Sequence, residues 1–62
     1  MTLTIKEGLE WFRVCAQRGA QITPIEETDD YTSYRIEASK EVAEIHFNHA
    51  DDYALLFKEV RA

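Results

Sequence analysis

Ile5, Leu9, Phe12 and Ala16 recur at spacings of four, three and four, which is one face of an α-helix. Lys6, Glu10, Arg13 and Gln17 fall on the opposite side. Upstream, Thr4-Ile5-Lys6-Glu7 fits a capping box. The Thr4 hydroxyl can accept the Glu7 backbone N–H, and the Glu7 carboxylate can accept the Thr4 N–H. Gly19 can take the left-handed conformation that closes a helix. These signals predict a helix over 5–18.

Beyond Gly19 the period shortens. Ala20 to Glu26 predicts a strand with a fault in it, since Ile22 and Ile25 break the alternation and Pro24 cannot donate to a ladder. A bulge there would let both isoleucines face the core. Glu27-Thr28-Asp29-Asp30 makes a polar turn. From Tyr31 to Ala38 the alternation is clean, with Thr32, Tyr34, Ile36 and Ala38 on one face. Ala43, Ile45 and Phe47 share a face over 41–47. If Ser39-Lys40 turns the chain, Ile36 opposes Ala43, Tyr34 opposes Ile45 and Thr32 opposes Phe47. On the other face Arg35 then opposes Glu44, an opposite-charge pair. One register satisfies both faces.

Tyr53, Leu56, Phe57 and Val60 return to helical spacing. Asn48 can cap such a helix, Asp51 and Asp52 suit its positive end, and Lys58 and Arg61 its negative end. A second helix is therefore predicted over 49–61. The expected fold is a single α+β domain spanning 1–62: a two-layer helix–three-stranded antiparallel sheet–helix (α-β-β-β-α), with both helices on one face of the sheet. Its core would be Ile5, Leu9, Phe12, Ala16, Ile25, Tyr34, Ile36, Ala43, Ile45, Phe47, Tyr53, Leu56, Phe57 and Val60.

That order of elements resembles the double-stranded-RNA-binding domain. Such domains grip phosphates with a basic cluster at the start of the last helix. Here the position reads His49-Ala50-Asp51-Asp52, so the charge is reversed and the RNA function does not carry over.

Charge then narrows the function. The chain of 62 residues carries a formal net charge of −5, against nonspecific binding to nucleic acid or anionic membrane. Residues 26–52 hold nine acids (Glu26, Glu27, Asp29, Asp30, Glu37, Glu41, Glu44, Asp51, Asp52) and two bases, a net of −7. Such a run is ordinarily a solvated face. The sharper reading is an anionic surface shaped to meet a basic one, because a sheet holds alternate carboxylates rigidly about 6.6 Å apart. In size and charge the chain resembles small acidic inhibitors of phages and mobile elements, anti-CRISPR and anti-restriction types among them. The resemblance implies a nucleic-acid mimic that blocks a basic nucleic-acid-binding groove on a host enzyme or defence complex.

The remaining chemistry is sparse. His46, His49 and Asp51-Asp52 match no metal signature, and no cofactor is expected. Cys15, the single cysteine, reads as a buried thiol in a reducing compartment. Two glycines make no phosphate loop, and no catalytic residue is assigned. No signal peptide or membrane span is evident, so a cytoplasmic location is expected. Trp11, Val14, Val42, Leu55 and Tyr31 fall outside the predicted core. The expectation is a non-catalytic protein-binding domain acting through its acidic residues, with no direct nucleic-acid or membrane contact. The alternative is a small structural or regulatory subunit that associates through an apolar patch around Trp11 and Val14, a homodimer being one form this could take.

Overall fold

The computed structural model describes residues 1–60, apart from the Val60 side chain, so the expected roles of Val60 in the core and Arg61 in a last helical turn lie outside the described residues. The chain runs β1 (Thr2–Leu3), α1 (Ile5–Gln17), β2 (Gln21–Glu27), β3 (Tyr31–Glu37), β4 (Glu41–Asn48) and β5 (Tyr53–Val60). The strands form one antiparallel sheet in the order β1-β5-β4-β3-β2, and α1 links its two edges.

The first helix forms where its signals lie. Glu7 N–H donates to Thr4 Oγ1 at 3.0 Å, and Thr4 N–H donates to Glu7 Oε1 at 3.0 Å. The bonds from Thr4 hold the Glu7 carboxyl below its ordinary range. At the other end Gly19, at φ +80°, donates to Ala16 O, and Ala20 donates to Cys15 O. These two bonds make a Schellman stop.

The stripe that α1 buries differs from the expected one. Gly8 is buried, while Ile5, Trp11, Phe12 and Cys15 pack against the sheet. Leu9 is 47% exposed, and Ala16 faces out with it. A Cβ on Gly8 would stand 2.9 Å from the Phe47 ring and 3.0 Å from the Ala54 methyl. The helix therefore rests on the sheet at a residue that has no hydrophobic side chain to announce it. Ile36, Ala43, Ile45, Phe47, Ala54 and Leu56 form the buried core beneath. Phe12, Tyr34 and Phe47 meet there, with ring centroids 4.9–6.3 Å apart.

The β3–β4 register is the expected one, including Ile36 opposite Ala43 and Arg35 opposite Glu44. Arg35 Nε nevertheless bonds Glu37 Oε1 on its own strand, at 3.1 Å. The β2–β3 pairing slips between Pro24 and Glu26, as a bulge requires. The bulge turns Ile25 outward, to 51% exposure, rather than into the core.

The second helix does not form among the described residues. Residues 53–60 form β5, so the α-β-β-β-α fold is corrected to a mostly-β domain with one helix. The expected cap bond does form, since Asp51 N–H donates to Asn48 Oδ1 at 3.0 Å. The chain then enters the left-handed region at Asp52 (φ 58°) and doubles back. Tyr-Ala-Leu-Leu-Phe-Lys-Glu-Val fits both periods, and eight residues are too few to separate them. Completing the ladder of β4 decides the outcome: β5 pairs with it from Glu41↔Val60 to Asn48↔Tyr53. Strand geometry sends Ala54 and Leu56 to the core and Tyr53, Leu55 and Phe57 to the other face. Phe57 is accordingly 52% exposed, not buried. With a fourth major strand and β1 present, the likeness to the double-stranded-RNA-binding domain also ends.

Candidate functional site

Two features meet at one end of the sheet. The first is acidic. The β2–β3 turn (28–30) and the β4–β5 turn (49–52) lie side by side, and His49 N–H donates to Asp30 O at 2.8 Å. Thr28 fixes the first turn, with its N–H on Tyr31 O at 2.7 Å and its hydroxyl accepting Tyr31 N–H at 3.0 Å. Asn48 fixes the second, through the bond from Asp51 N–H and a 3.2 Å bond from its own Nδ2 to Asp51 Oδ2. Asp29, Asp30, Asp51 and Asp52 thereby stand at one end, joined by Glu26 and Glu27 where β2 arrives.

The other predicted contact residues lie elsewhere. Glu37 and Glu41 flank the β3–β4 turn at the opposite end, and Glu44 sits midway along the uncovered face. The acidic residues therefore fall into six at one end of the sheet and a remainder elsewhere, not on a single face; Glu26 and Glu27, successive on β2, point to opposite faces. Trp11 is half-buried against the core, and Val14 is 41% exposed beside it.

The second feature is a trough of about 480 Å³ on the sheet face away from α1. Ser33 and Asn48, 5% and 7% exposed, form its floor. Tyr31, Tyr53, Leu55, Phe57, His46 and Glu26 rise around them. Cross-strand pairing sets the arrangement: Tyr31–Asn48–Tyr53 make one row, and Glu26–Ser33–His46–Leu55 the next. His46 meets the Phe57 ring edge-on at 5.5 Å. Tyr31 and Leu55 are visible in the sequence as outward apolar residues. Tyr53 and Phe57 are hidden by the helical reading, although alternation over 53–57 would have placed them beside Tyr31.

The two histidines diverge. His46 lines the trough, whereas His49 Nε2 lies 2.9 Å from Thr32 Oγ1 and its ring stacks on Phe47. Among the described residues no three of His, Cys, Asp and Glu are grouped to hold a metal ion. Burial pushes the Cys15 thiol up, with Glu41 adding to the shift and Arg18 and Lys58 opposing it. The thiolate is thus disfavoured at neutral pH. Among the described residues no helix is long and apolar enough to cross a membrane.

Comparison with protein-family models, curated proteins and solved structures returns no match. The resemblance to phage and mobile-element inhibitors, anti-CRISPR proteins included, gains no support there and is withdrawn. The fold and site define a small, mostly-β domain whose sheet is covered by one helix on one face only.

Proposed function

We propose that the protein is a non-catalytic binding module that meets a basic protein partner with the acidic end of its sheet. One observation carries this reading. The main-chain bond from His49 to Asp30 ties two acidic turns together, so Asp29, Asp30, Asp51 and Asp52 share the end of the sheet at which Glu26 and Glu27 also lie. Like charges repel, and a structure that keeps them together makes a strong local field. That field speeds encounter with a cationic surface and rejects nucleic acid. Association through Trp11 and Val14 is the weaker reading, because Trp11 already packs against the core.

Reversal of Glu26, Glu27, Asp29 and Asp30 to Lys tests the proposal. All four residues are exposed, so the fold should survive, as far-UV circular dichroism would verify. Affinity capture at low salt should recover a basic partner with the native protein and lose it with the variant. Raising the salt should weaken the native complex, since screening shortens the reach of exposed charges to about 3 Å at 1 M. Capture that ignores both the reversal and the salt would refute the electrostatic contact.

A further inference from the structure

We propose that the trough on the uncovered sheet face is a receptor for an arginine side chain of that basic partner, an inference that rests on the reading above and supplies its anchor. The floor gives the first argument. Ser33 is 95% buried by its 5% exposure, yet its hydroxyl has no hydrogen-bond partner among the described residues. It is not sealed from solvent either, since the described residues contain no buried, unpartnered side-chain polar atom. The free hydroxyl therefore opens into the trough that Ser33 lines.

The walls give the second argument. Tyr31, Tyr53 and Phe57 supply aromatic rings, whose faces attract cations. Glu26 supplies the one carboxylate of the lining, and no Lys or Arg is among the lining residues. Asp30 and Asp52 immediately precede Tyr31 and Tyr53, so both acidic turns adjoin the same end of the trough. A second copy of this chain would bring the same carboxylates against their own kind, which disfavours it as the occupant.

An arginine answers each feature. Its methylene stem suits Leu55 and the rings, and its planar guanidinium can stack on an aromatic face while donating to Glu26 and the Ser33 hydroxyl. Lysine, a compact and strongly hydrated point charge, stacks less well. The volume of about 480 Å³ falls in the range of ligand pockets, roughly 300–1,000 Å³.

The test is a titration of the intact protein with the capped tripeptide acetyl-Gly-Arg-Gly-amide, followed by amide chemical shifts. The citrulline tripeptide, of the same shape without the charge, is the control. Saturable shifts should centre on Ser33, His46 and Asn48 with arginine, weaken with the lysine tripeptide and vanish with citrulline. Glu26→Gln, and separately Phe57→Leu, which keeps an apolar side chain but removes the ring, should each weaken binding by up to about tenfold. Equal shifts with citrulline, or shifts confined to the acidic turns, would overturn the arginine site. Because the peptide assay needs no partner, those results would leave the acidic-end reading standing. Salt-insensitive capture would remove that reading without touching the trough.

Discussion

Two glycines serve opposite ends of the same physics. Gly8 is required by space, since a methyl there would press on Phe47 and Ala54 inside a packed core. Gly19 is required by backbone angle, with nothing within 4 Å of where a Cβ would go. Substitutions should therefore rank in reverse. At Gly19, Asn tolerates the left-handed region better than Ala, so Gly19→Ala should cost about 1 kcal/mol and Gly19→Asn less. At Gly8, Ala gains helix propensity but crowds the core by about 1–3 kcal/mol, and the larger, polar Asn should cost more. Urea denaturation of the four variants measures both orders. The same order at both glycines would contradict the account.

At the scale of elements, the features legible in the sequence were those with a local chemical cause. The capping box, the Gly19 stop, the Pro24 bulge and the two-faced register of β3 with β4 all form as their residues predict. What was illegible depended on partners distant in sequence. Asn48 and Asp51 make the same bond whether a helix or a hairpin follows; here Asp52 enters the left-handed region and the ladder of β4, distant from that bond, settles the outcome. β1 has two residues, too few to carry a period, and its place against Leu55 and Ala54 exists only once β5 does. Two walls of the trough were lost with that same element, because Tyr53 and Phe57 leave the core only when 53–60 is extended. The acidic group was readable as composition, but its convergence required the two turns to become neighbours. A pair of substitutions separates strand from helix at 53–60. Leu56→Ala should cost about 2–5 kcal/mol because Leu56 is buried, 4% exposed. Phe57→Ser should cost much less, because its ring stands on the open face. A helix would bury both residues on one stripe and make both substitutions severe.

Across the whole molecule, the helix closes one face of the sheet and leaves the other uncovered. The charge is as uneven as the layers: the net of −5 is gathered toward the two turns at one end. A 62-residue domain has little stability to spare, roughly 3–9 kcal/mol. Gathering like charges toward one end lowers it further. Net charge and location must be separated to establish this. The pair Asp29→Lys/Asp30→Lys and the pair Glu41→Lys/Glu59→Lys change the total charge equally but at different places in the fold. The most direct measurement is the affinity of each for the captured basic partner at low salt. The first pair should weaken binding by about tenfold or more, and the second by about twofold at most. Equal losses from both pairs would mean that the protein offers only its overall charge, and that the acidic end is not a contact surface.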